Sequence, residues 1–153
     1  MNAVVDVQVA TAQAGLPAPA QITRWVETAL AGQVDAAELV IRIVDEAEGR
    51  ALNERWRGGR GATNVLSFPA GEASEVVPGL LGDIIICAPL VASEAAEQGK
   101  PEPAHWAHLV IHGVLHLLGY DHVDEDDADV MEALEIEKLT ALGIPDPYVQ
   151  EAP

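Results

Sequence analysis

The stretch "LLGDIIICAP", residues 80–89, reads as a strand that is apolar almost without interruption. A strand that faces water on one side alternates apolar and polar residues. A near-continuous apolar run belongs inside a sheet, covered on both faces. Helices have to supply that cover, so this segment already points to an α/β architecture. The segments after it agree. "PLVASEAAEQGK" (89–100) is a helix that stops near Gly99. "PEPAHWAHLVIHGVLHLLG" (101–119) is a longer one, with proline at its start and Gly119 at its end. "DEDDADVMEALEIEKLTALG" (124–143) is the last helix, and the acids crowding its first turn suit the positive end of the helix dipole. "IPDPYVQEAP" (144–153) is a tail.

Toward the N-terminus, "AVVDVQVA" (3–10) is a Val-rich first strand, and "AGLPAPAQ" (14–21) breaks it. "AQITRWVETALAGQ" (20–33) places Ile22, Trp25, Val26, Ala29 and Leu30 at helical spacing. "AELVIRIVD" (37–45) is a second strand. "EAEGRALNERWRG" (46–58) is a short helix, "GGRGA" (58–62) a flexible loop, and "TNVLSFP" (63–69) a short strand ended by Pro69. "AGEASEVVPGL" (70–80) reads as a loop excursion. With no internal repeat and no linker, residues 1–153 form one domain. Its expected fold is α/β with an α+β-like layout: a small mixed sheet of about four strands, and a helical C-terminal half that carries the histidines described below.

Composition narrows the function. No apolar run reaches membrane-span length, and "MNAVVDVQVA" lacks the basic start and long apolar core of a secretory signal. The single cysteine, Cys87, excludes an internal disulfide framework and a multi-cysteine zinc site; in "DIIICAPL" it reads as a small buried hydrophobe. A cytoplasmic protein with no membrane partner is expected. The formal net charge of −17 argues against non-specific nucleic-acid binding, and no DNA partner is expected. The distribution qualifies that sum. Four of the eight cationic residues, Arg50, Arg55, Arg57 and Arg60, fall within one short stretch, whereas ten acids and one lysine follow Val123. A locally basic surface on an acidic body is therefore compatible with the charge.

Three of the five histidines lie in "HGVLHLLGYDH" (112–122). On a helix, His112 and His116 stand about 40° apart around the axis and about 6 Å apart along it, so both imidazoles can reach one ion. Gly119 can take the left-handed conformation that ends a helix, and "YD" returns the chain so that His122 can add a third nitrogen. Three histidines with an open fourth position make the pattern of a catalytic zinc site, not a closed structural one. His105 and His108 extend the same helical face. They are read as groups that support the ligands or face a substrate, or as ordinary structural histidines.

The spacing matches the metzincin pattern H-E-x-x-H-x-x-G-x-x-H, with one decisive difference. Metzincins carry a glutamate after the first histidine as general base, and this chain has Gly113 there. Peptide hydrolysis by that route is disfavoured. Asp121 or water is the nearest replacement for the missing base.

"LNERWRGGRGATNVLSFP" (52–69) is the second unusual stretch: a basic helix end, a Gly-rich loop and a strand. An arginine beside a metal site can stabilise charge growing on a phosphoryl group. Taken together, "HGVLHLLGYDH" preceded by His108, "LN…WR…TNVLSFP" and "LLGDIIIC" closely resemble the YbeY family of endoribonucleases, also called rRNA maturation factors. The resemblance runs from about Leu39 to Tyr148 and is weakest at the N-terminus. It implies a single-strand-specific, metal-dependent RNase that acts at the 3′ end of small-subunit 16S rRNA and in ribosome quality control. It also implies His112, His116 and His122 as ligands of one Zn²⁺, and Arg57 as the functional arginine after an aromatic residue. Single-stranded RNA, rRNA and the ribosomal small subunit or its proteins are the implied partners.

Two positions depart from the family. The loop after Arg57 is "GGRGAT", with Ala62 where proline is usual and Arg60 as its only charge. Trp56 stands where tyrosine is common. Trp56 and Trp106 could each stack on a base, but the preferred reading of both is core packing. Two other functions stay open: a ribosome-associated assembly factor with a structural metal, and a zinc hydrolase with a non-RNA substrate.

Overall fold

The apolar run forms an internal strand of a four-stranded sheet. In the computed structural model, which describes residues 2–121 and 123–148, the chain runs β1 (Asn2–Ala10), α1 (Pro19–Leu30), β2 (Ala36–Val44), α2 (Glu46–Arg57), β3 (Val65–Pro69), α3 (Ala73–Val76), β4 (Leu80–Cys87), α4 (Ala88–Gln98), α5 (Glu102–Leu117) and α6 (Glu125–Ala141). The sheet order is β1-β2-β4-β3. β1 and β4 both pair with β2 in parallel, and β3 returns antiparallel along β4. This is the expected mixed α/β fold.

Side-chain alternation along β4 explains why the strand is apolar throughout Ile84–Cys87. Ile84 and Ile86 point into the main core with α1 and α5, while Ile85 and Cys87 point into a smaller core under α2. Each fully buried isoleucine contributes about 1.5–3 kcal/mol of transfer free energy, so neither face tolerates a polar residue between Ile84 and Cys87; Asp83, just before them, is exposed. α5 supplies Trp106, Val110, Ile111, Val114 and Leu115 to the main core.

One local expectation changes. The 70–80 excursion is not all loop, because Ala73–Val76 closes one helical turn. It returns to the sheet at Gly82, whose φ of +137° suits only glycine. A β-carbon there would lie 2.1 Å from the Phe68 carbonyl oxygen. Gly82 thus lets β3 fold closely onto β4, which places β3 beside the histidine helix.

α6 packs on α5 and is tied to α1: Lys138 donates to the Ala31 carbonyl at 2.6 Å, just past the end of α1. No helix among the described residues is long and apolar enough to cross a membrane.

Candidate metal and RNA site

α5 has two chemical faces. One is the apolar stripe just described. The other carries His105, His108, His112 and His116, spaced three or four residues apart. The helix ends as the sequence predicts. The Gly119 amide donates to the His116 carbonyl and the Tyr120 amide to the Leu115 carbonyl, both at 3.0 Å, with Gly119 at φ +102°. This is a Schellman closure. The Tyr120 hydroxyl then donates to Gln33 Oε1 at 2.9 Å, which fixes where the chain leaves the helix.

His112 and His116 converge. Their Nε2 atoms are 3.1 Å apart, with ring planes at 79°. Two imidazole nitrogens sharing one tetrahedral Zn²⁺ at about 2.05 Å would be separated by about 3.3 Å, so the pair fits a common ion. His112 Nδ1 lies 2.5 Å from Glu135 Oε1 on α6. A carboxylate at that distance keeps the proton on Nδ1 and leaves the Nε2 lone pair facing His116, the usual support for a metal-binding histidine. The donor set therefore suits a borderline metal such as zinc. Among the described residues no three His, Cys, Asp or Glu side chains converge as a metal-binding group. The third expected ligand, His122, lies outside the described residues.

Glu135 is fully buried and is the group that sequence reading missed. Burial alone would raise its carboxyl pKa, but hydrogen bonds from His108, His112 and Tyr148 outweigh burial and hold it at about 2. The Tyr148 hydroxyl donates to Glu135 Oε2 and also lies 3.2 Å from His108 Nε2. Burial, and then the Glu135 carboxylate, push the tyrosine pKa upward, so it remains a donor. A signal was present in the sequence. Met131, Glu135 and Leu139 share one stripe at four-residue spacing, and all three are buried. An acid in an apolar stripe requires partners.

Arg57 is the last residue of α2, followed by Gly58 in the left-handed conformation. Its guanidinium carbon sits 5.0 Å from the Phe68 ring centroid, a cation–π contact that steadies an exposed side chain. The loop beyond it is held by the buried Asn53. Asn53 Nδ2 donates to the Gly61 carbonyl at 2.9 Å, and the Asn53 carbonyl accepts from the Gly59 amide at 3.2 Å. A β-carbon on Gly59 would meet the Asn53 amide at 2.3 Å, so close packing, not flexibility alone, requires glycine there.

β3 joins the two halves. Ser67 Oγ donates to the Gly113 carbonyl at 3.1 Å, tying the strand to α5 beside His112. Asn64 donates to Glu94 Oε1 at 3.0 Å, and the same oxygen lies 2.9 Å from His105 Nε2. The result is one open cavity of about 760 Å³, lined by Arg57, His112, His116, Asp121, Ser67 and Asn64 among others. His108 does not line it. His108 borders a neighbouring cavity of about 870 Å³ and faces Glu135 and Tyr148. His105 is buried against Glu94 and borders that second cavity too.

The two tryptophans diverge. Trp106 is buried, as expected. Trp56 is 60% exposed, which corrects the core reading, and Arg55 stacks on it with its guanidinium carbon 5.0 Å from the ring centroid. α2 covers only the small second core, and Leu52 fills its share of that space.

Known proteins resemble this chain over most of its length. A family profile described as "Endoribonuclease YbeY" matches residues 8–143. A protein of that name from Stutzerimonas stutzeri is 56% identical over 151 residues, covering 97% of this chain and 93% of its own. Another of that name, from Stenotrophomonas maltophilia, is 55% identical over 152 residues, covering 96% and 94%. The match reaches well into the N-terminal region, where the motifs alone were weakest. The solution structure of TM1509 from Thermotoga maritima shares the fold, with a TM-score of 0.59 and 23% identity over 94% of this chain and 99% of that one.

Proposed function

The chain belongs to the endoribonuclease YbeY family, and we propose that it cuts single-stranded RNA in the cavity between α5 and β3. One observation carries this reading: Arg57 and the His112–His116 pair, far apart in sequence, line the same cavity. Its open form suits an extended strand. In this reading residues 1–153 act as one domain, in the cytoplasm, on ribosomal RNA at the small-subunit 3′ end. The ribosomal small subunit or its proteins serve as partner.

His112, His116 and His122 would hold one metal ion, taken to be Zn²⁺ on the chemistry of three imidazoles. Such an ion supplies Lewis acidity, which activates water and draws charge from a phosphoryl oxygen. The chain's own residues do the rest. Arg57 presents a planar fork of N–H donors to the scissile phosphate and stabilises charge that builds there. Phe68 keeps that fork at the cavity wall. Asp121 also lines the cavity, and in this reading it faces the substrate.

The test offers a single-stranded RNA to wild type, His116→Ala and Arg57→Ala, each purified identically and assayed with added Zn²⁺ and with chelator. Cleavage by wild type alone, abolished by chelator, is expected. Equal cleavage by all three proteins defeats the reading.

A further inference from the structure

We propose that Glu135 is a positioning residue for the metal-holding face of α5, and that Tyr148 locks it from the C-terminal segment. The proposal rests on the reading that His112 and His116 bind a metal. Glu135 comes from α6, not from the histidine helix, and its carboxylate is buried. One oxygen, Oε1, receives His112 Nδ1 at 2.5 Å and stands 3.5 Å from His108 Nε2. The other, Oε2, receives the Tyr148 hydroxyl. A buried carboxylate left unpaired is strongly unfavourable, and each donor that pairs this one comes from a residue bordering one of the two cavities. The arrangement has a directional consequence. With Nδ1 committed to Glu135, His112 can present only Nε2, and Nε2 is the atom that meets His116. The ring cannot flip without breaking a charge-assisted hydrogen bond. Tyr148 occupies the second oxygen, so the carboxylate cannot turn away from His112.

A purely structural Glu135 would affect folding but not the preference of His112 for one tautomer or the affinity for metal. The experiment therefore reads both. Wild type, Glu135→Gln, Glu135→Leu, Tyr148→Phe and His116→Ala are stripped of metal, and Co²⁺ uptake is followed by its visible absorption. The His112 tautomer in the metal-free proteins is read from long-range ¹H–¹⁵N couplings. Wild type should show Nδ1–H at His112. Glu135→Leu should weaken Co²⁺ binding by about 10- to 100-fold, with a mixed tautomer. Glu135→Gln, which keeps an acceptor but no charge, should retain the tautomer and lose less affinity. Tyr148→Phe should lose only a few-fold. Should Glu135→Leu not fold, Glu135→Gln and Tyr148→Phe carry the test. Wild-type affinity and tautomer in the Glu135 variants, with binding still lost in His116→Ala, overturns the role of Glu135 alone. Equal Co²⁺ uptake by wild type and His116→Ala overturns the underlying metal reading.

Discussion

Gly113 faces Ile84 across the helix–sheet interface: a β-carbon at residue 113 would meet the Ile84 side chain at 3.0 Å. The position that holds the catalytic glutamate in the metzincin pattern thus points into the core here, not into the cavity. The missing protease base and the packing of α5 on β4 have one cause. A helix laid this closely on the sheet crowds any side chain at that position against Ile84.

Substituting Gly113 tests that cause. Alanine gains about 1 kcal/mol of helix propensity but crowds the buried Ile84, at a cost of about 1–3 kcal/mol. A net loss of up to about 2 kcal/mol is expected in chemical denaturation. Glutamate should be far worse, because it also buries a charge. Neither variant should hydrolyse peptides, and peptidase activity in Gly113→Glu would contradict this packing.

Arg57 is exposed and ends its helix, so its loss should leave folding intact. Arg57→Ala is expected to lower kcat/KM on single-stranded RNA by about 100-fold, the scale for removing a charged donor from a developing oxyanion. Arg57→Lys should recover only part of this, because an ammonium lacks the planar fork. Steady-state kinetics beside thermal melts separates the two effects.

Asn53 and Gly59 occupy the same space, and their substitutions should not add. Asn53→Ala loses the bond to Gly61 and is expected to cost about 1–3 kcal/mol. Gly59→Ala should also destabilise, through its clash with the Asn53 amide. In the double variant that clash is relieved. Its loss should fall below the sum of the single losses by at least about 0.5 kcal/mol in a denaturation cycle.

Trp56 offers an exposed aromatic face at the end of the basic helix. Trp56→Ala should change stability by no more than about 0.5 kcal/mol. It should weaken binding of single-stranded RNA by about 1–3 kcal/mol if the ring stacks on a base, with Trp56→Phe restoring much of that. Unchanged RNA affinity in Trp56→Ala, measured by fluorescence anisotropy, would remove the stacking role.

Metal removal should act on the fold as well as on cleavage. A ligand that binds only the native state raises the melting temperature by mass action. Chelator should therefore lower the Tm of wild type. It should leave His116→Ala unmoved.

Local patterns decided much of this protein from sequence alone. The continuous apolar run of β4 required cover on both faces. The four-residue spacing of His112 and His116 put two imidazoles on one helical face, and Gly119 closed the helix. Each of these depends on neighbours within a turn or a strand, which the sequence records directly. Three features came only from tertiary structure. Arg57 reaches the histidine cavity because β3 turns back along β4 and bonds to α5 at Gly113. Glu135 meets His112 because α6 packs on α5; its own helix shows that it is buried but not what it meets. Trp56 is exposed because α2 turns Leu52, not the indole, onto the second core. In each case the deciding contact joins segments distant in sequence, and chain spacing carries no information about such contacts until the core packs.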